Sequence, residues 1–130
     1  MSRGRYVVPG SPDHRAMLLN NQASSLCKQG RFEEAEPLFL QALRLWECAF
    51  GPCSDPVAGC CQSLGVLCAA LGDFDGAIFH LQRAVEVMTR LPGADESERA
   101  AYQAILDTLI SGGRDGLQVA QVTTRRMWTA

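Results

Sequence analysis

The sequence predicts an all-α protein, an α-solenoid of antiparallel helix pairs with two full repeats and a degenerate third, capping pair. Three observations predict it. The stretch QGRFEEAEPLFLQAL lies over LGDFDGAIFHLQRAV so that Gly30 meets Gly72, Phe32 meets Phe74, Glu33 meets Asp75, Ala35 meets Ala77 and Ala42 meets Ala84, each pair 42 positions apart. The same spacing links three residues suited to capping a helix start, Asp13, Asp55 and Ser97, and two glycines placed where a helix would stop, Gly51 and Gly93. Between these marks the apolar residues recur three and four apart, the period of one helix face. A period of this length, with starts, stops and core positions in one register, is the signature of a repeat array.

Taken in order, residues 1–12 read as a flexible N-terminal segment and residues 13–130 as the repeat domain, divided at about 13–54, 55–96 and 97–130. The opening MSRGRYVVPGSPDHR has three arginines but no apolar core, so it does not read as a secretory signal. Pro9 and Pro12 come too early for an amphipathic presequence helix. The first helix is expected over about Arg15–Gln29, with Ala16, Leu19, Ala23 and Leu26 on one face, and Gly30 breaks it. Its partner runs from about Phe32 to Phe50, with Ala35, Phe39, Ala42, Trp46 and Phe50 as its stripe. Pro37 stands near that helix's start, where its missing N–H deprives only the Glu33 carbonyl. The second unit repeats the plan over Pro56–Leu71 and Phe74–Arg90. A third first helix spans roughly Ser97–Ile110; SGGRDG then reads as a turn and Leu117–Trp128 as a last segment. There the register slips, because Asp75 and Asp115 are 40 apart. Met127 and Trp128 are expected to cap the last helix pair.

The residues LNNQASSLCKQGRFEEAEPLFLQAL, the linker FGPCSDPV and LGVLCAALGDFDGAIFHLQRAV resemble the tetratricopeptide repeat in its 42-residue, kinesin-light-chain-like form. The resemblance covers residues 13 to about 111. It also accounts for Pro37, since EEAEPL is common in this form. Gln22 and Cys68 depart from it, standing where leucine, and tyrosine or leucine, are usual.

Composition narrows the functional classes. Hydrophobic residues make up 47% and charged residues 20%, as in an ordinary globular domain. A net charge of −2 argues against a nucleic-acid partner, which calls for a basic excess on one face. No apolar run is long enough to span a membrane, so no membrane partner is expected. With no signal, the expected compartment is cytoplasmic. The six cysteines, Cys27, Cys48, Cys53, Cys60, Cys61 and Cys68, lack a Cys-x-x-Cys pair, and Cys48, Cys53 and Cys60 do not match zinc-ligand spacing. They read as reduced, metal-free apolar fillers. No nucleophile–base pair or phosphate loop is present, and SGGRDG lacks the Gly-Lys-Ser/Thr ending, so neither an enzyme nor a cofactor is expected. His14 and His80 read as surface or seam residues.

What remains is binding. Stacked helix pairs line a concave groove with their first helices, and such a groove takes an extended peptide or a partner helix. The expected function is therefore a protein–protein interaction scaffold or adaptor. The alternative is a structural subunit of a larger assembly, or a self-associating homodimer with no free groove, because two repeats and a decayed third are short for an independent array. The 42-residue register places Asn20, Gln62 and Ala104 in one row of the groove; Asn21, Ser63 and Ile105 in the next; then Ser24, Val66 and Thr108; then Lys28, Ala70 and Gly112. The resemblance implies that an Asn-Asn pair holds a bound peptide's backbone through side-chain amides. It carries over fully to Asn20 and Asn21, in part to Gln62, and not to Ala104. The candidate contacts are Asn20, Asn21, Ser24, Lys28, Gln62, Val66, Ile105 and Thr108.

Overall fold

Five helices follow one another in the computed structural model, which describes residues 11–129 without the side chains at positions 113, 114, 117, 119, 120, 123, 127 and 129. They are α1 (Pro12–Lys28), α2 (Phe32–Phe50), α3 (Asp55–Leu71), α4 (Phe74–Arg90) and α5 (Glu96–Thr129). The expected flexible segment, as far as residue 10, lies outside the described residues. The helices form hairpins, α1 against α2 and α3 against α4, joined by packing of α2 on α3; α5 lies on α4 and α3. This is the predicted all-α stack of helix pairs.

The helix caps fall one or two residues before the expected ones. Ser11 is extended, at φ −71° and ψ 162°, and its Oγ accepts the His14 backbone N–H at 3.3 Å, so Pro12 opens α1 ahead of Asp13. Proline fixes the helical φ and has no N–H to satisfy, which makes it a better first residue than a cap. Ser54 takes the place expected of Asp55. At α5 the Asp95 carboxylate accepts the Ser97 and Glu98 N–H groups at 2.9 and 3.3 Å, because it reaches back over the first turn as Ser97, itself inside the helix, cannot.

The stops match the register. Gly30, Gly51, Gly72 and Gly93 all have positive φ, between 77° and 85°. At Gly30 an added Cβ would meet nothing within 4 Å, so alanine there brings backbone strain alone. Gly30→Ala is expected to lower stability by about 1 kcal/mol in urea unfolding; an unchanged midpoint would contradict the turn.

Small residues set the spacing between helices, and larger ones fill around them. Ala23, Ala35 and Ala77 are fully buried. Phe39, Ala42, Cys60, Leu64 and Leu67 join α1, α2 and α3 in one core cluster. Cys68, Ala77, Leu81, Leu106 and Leu109 join α3, α4 and α5 in another. At Gly65 a Cβ would lie 2.5 Å from Leu81 Cγ and 3.2 Å from its backbone nitrogen, so α3 and α4 cross in direct contact. Arg83 of α4 pairs with Glu47 of α2 beside this core.

The C-terminal part keeps the expected turn, in a tighter form. Residues Glu96–Thr129 are helical, with no non-helical residue left at the expected SGGRDG turn. The chain nevertheless reverses there. A Cβ on Gly116 would lie 2.1 Å from the Thr108 carbonyl oxygen, whereas eight residues of straight helix rise about 12 Å. Only glycine allows that approach, and the Gly112–Gly113 pair just before it loosens the preference for a straight helix. The second half of α5 then runs back to α1 and α3 and does not stay with its own helix pair.

Candidate partner-binding face

The first helices supply the face, and their two halves differ. On α1, Asn21 and Lys28 are exposed and Asn20 and Ser24 half-buried, so the four share an open strip along the helix. Their positions, 20, 21, 24 and 28, follow the three- and four-residue period that puts side chains over one another. On α3 the matching positions are closed. Gln62 is 8% and Val66 3% exposed. The Gln62 amide points to α4, where its Nε2 lies 2.9 Å from the Met88 sulfur. It lines a cleft with Ala58, Leu91, Ala94 and Glu98. On α5, Ile105 packs against the Leu81–Leu109 cluster, and the Thr108 hydroxyl donates to the Ala104 carbonyl of its own helix at 3.0 Å. The eight candidate residues thus fall into an accessible strip on α1 and a group at the α3–α4–α5 contacts. The register carries backbone position faithfully, but not what a following helix covers.

Near the ends of these helices the face is occupied. Ala70, in the row expected to hold Lys28 and Gly112, is fully buried. Its carbonyl belongs to the last turn of α3, where no intrahelical N–H remains to bind it. Two side chains from the second half of α5 do so: Gln121 Nε2 donates at 3.1 Å and Arg125 Nε at 2.9 Å. A cation suits this place because helix carbonyls gather negative potential at the C-terminus. The Arg125 guanidinium also sits 5.3 Å over the Phe32 ring at the start of α2. One turn on, Trp128 tilts against Phe39, ring centroids 6.1 Å apart. Trp128 was expected to cap the last pair; it packs instead into the first core cluster, while the Met127 side chain lies outside the described residues. Gln121, Arg125 and Trp128 were not among the expected contacts. Their spacing of four and then three was the signal that could have found them.

The cysteines divide by burial. Cys48 and Cys53 are exposed; Cys27, Cys60, Cys61 and Cys68 are buried and unpaired. Burial pushes the Cys27, Cys60 and Cys68 thiols up to about 12 and Cys61 to about 11. The Cys60 thiol donates to the Phe39 carbonyl at 3.3 Å. Cys68 approaches Glu36 and Asp73, all three ligand atoms within 4.8 Å of one another, and its neutral thiol points to Glu36 Oε2 at 3.8 Å. A thiol reagent at pH 8 is expected to modify two cysteines quickly and the other four only after denaturation. Fast reaction of all six would contradict the core. Buried thiols keep their protons above the ordinary 9.0, where an unfolded chain releases them. Stability is therefore full below pH 9 and falls as pH rises towards 12.

Among the described residues no helix is long and apolar enough to cross a membrane. The family model for the tetratricopeptide repeat matches residues 14–90, more than half of the chain and both complete helix pairs. No curated protein matches the chain.

Proposed function

Because the chain belongs to the tetratricopeptide-repeat family, whose arrays generally mediate protein–protein interaction, we propose that it is an adaptor that takes a polypeptide segment on its first-helix face. The supporting observation is that a helix already packs beside this face: Gln121 and Arg125 hold the Ala70 carbonyl at the end of α3, and Trp128 lies against Phe39 of α2. A surface that binds one helix by an open carbonyl and two aromatic rings has the chemistry to bind another. The exposed strip of Asn21 and Lys28, with Asn20 and Ser24 beside it, extends that surface along α1. Side-chain amides offer both donors and an acceptor to a bound backbone, as in the kinesin-light-chain-like form that the repeat resembles. Within this reading Gln62, Val66, Ile105 and Thr108 shape the neighbouring wall. Six unpaired cysteines fit a reducing compartment such as the cytoplasm.

The test compares recovery of partners from source cells by the wild type, by Asn20→Ala/Asn21→Ala with Lys28→Glu, and by Phe79→Ala on α4. Selective loss with the α1 substitutions supports the reading; selective loss with Phe79→Ala moves the interface to the α4 side, and equal recovery from all three removes α1 as the interface. The second reading, a structural subunit or homodimer, draws on Phe50 and Phe79, exposed by 51% and 62%. A dimeric mass in dilute solution, lost in Phe79→Ala, would favour it.

A further inference from the structure

We propose that the binding face runs from Phe32 to Ala70, beneath the second half of α5, and that its partner is an α-helix presenting an amide, a cation and an aromatic ring at i, i+4 and i+7. The chain's own C-terminal segment is then the resident competitor, a strap that must swing away before the partner docks. This rests on the first-helix face being the interface.

The resident helix is the template. Gln121 and Arg125 converge on one acceptor, the Ala70 carbonyl, at 3.1 and 2.9 Å. Arg125 spans from that carbonyl to the face of Phe32, and Trp128 reaches Phe39 three residues further on. A lysine cannot match this set, because a guanidinium stacks flat on a ring while donating in its own plane. Selectivity for arginine follows. The anchoring aromatic must be large enough to reach Phe39.

Two features make the resident helix displaceable. It hangs on a hinge, the reversal between Thr108 and Gly116, which contains the Gly112–Gly113 pair and lets the segment leave without disturbing the first half of α5. Its anchor is also imperfect, since the Trp128 indole N–H is buried with no acceptor among the described residues. A partner aromatic without that donor, or one that places it against an acceptor, binds the same pocket at an advantage. The outward side of the strap stays wet: Gln118, Val122 and Arg126 are exposed.

The probe is a fluorescein-labelled peptide of residues 111–130, titrated by anisotropy into the full-length wild type and into full-length Arg125→Ala/Trp128→Ala, whose own strap is weakened. The variant is expected to bind the probe at least tenfold more tightly than the wild type. A probe carrying the same two substitutions is expected to bind neither protein. Equal affinity of both proteins for the probe, or binding by neither, overturns the proposal. Hydrogen exchange on the wild type gives a reading independent of variant folding. Amides of residues 117–129 should exchange at least tenfold faster than those of α3; protection equal to α3 overturns the proposal. If the strap behaves as expected while cellular partners ignore the α1 substitutions, the α1 assignment fails and the strap stands. The reverse pattern removes the strap and leaves the adaptor reading intact.

Discussion

Phe39→Ala is expected to remove about 3–5 kcal/mol of stability, the range for truncating a buried aromatic side chain. Phe39 is fully buried in the cluster that joins α1, α2 and α3. Its ring also meets Trp128, and its carbonyl accepts the Cys60 thiol. Truncation opens a cavity between the two helix pairs and removes the floor on which the C-terminal segment rests. A domain of this size has only about 5–15 kcal/mol in all, so the melting midpoint should fall by about 10 °C or more. Thermal unfolding followed by far-ultraviolet circular dichroism reads this directly. A loss under 1 kcal/mol would mean that Phe39 does not hold the pairs together.

The second large effect is at the crossing of α3 and α4. Leu81→Ala should cost about 2–5 kcal/mol by leaving a cavity. Gly65→Ala should cost about 1–3 kcal/mol for the opposite reason, because the new methyl would press on Leu81. The two are coupled. The atoms nearest the added Cβ are Leu81 Cγ and Cδ2, at 2.5 and 2.7 Å, and Leu81→Ala removes both. Gly65→Ala should therefore cost less in the Leu81→Ala background than in the wild type. Part of the penalty persists, since the Leu81 backbone nitrogen would remain 3.2 Å from the new carbon. Additive losses in a double-mutant cycle would show that the helices do not meet at these residues.

Most of the fold was legible because its determinants are local. Gly30, Gly51, Gly72 and Gly93 each mark a backbone conformation that other residues adopt only under strain, so their register transmits directly into the turns. The alternation of Ala35 or Ala77 with Phe39 or Leu81 marks close approach beside filled space. Helix starts were less legible, because Ser11 and Asp13, and Ser54 and Asp55, are neighbouring candidates for one cap; Pro12 decides for Ser11, whereas Pro56 does not place the cap at Asp55. The reversal at SGGRDG was legible as a turn, but its tightness was not. Glycines in SGGRDG predict an interruption, yet the residues on both sides of the bend are helical, and only the Thr108–Gly116 approach shows how closely the two halves meet. The binding face was half legible. Asn20, Asn21, Ser24 and Lys28 lie on a helix that few later elements cover, whereas Gln62 and Val66 lie on α3, which is packed on several sides. Burial of that kind depends on contacts distant in sequence, such as Arg125 on Ala70: the spacing of Gln121, Arg125 and Trp128 marks one helix face but not what that face meets.

The central claim is that the C-terminal half of α5 folds back onto the first helix pairs, and contact between Trp128 and Phe39 tests it most directly. In nuclear Overhauser spectra of the full-length protein, with Trp46→Phe to leave a single indole, the Trp128 ring protons should show cross-peaks to the Phe39 ring, consistent with centroids 6.1 Å apart. They should weaken in Arg125→Ala, which removes a second anchor of the same segment and leaves the indole in place. An indole with no cross-peak to α2, and an N–H in rapid exchange with water, would contradict the account.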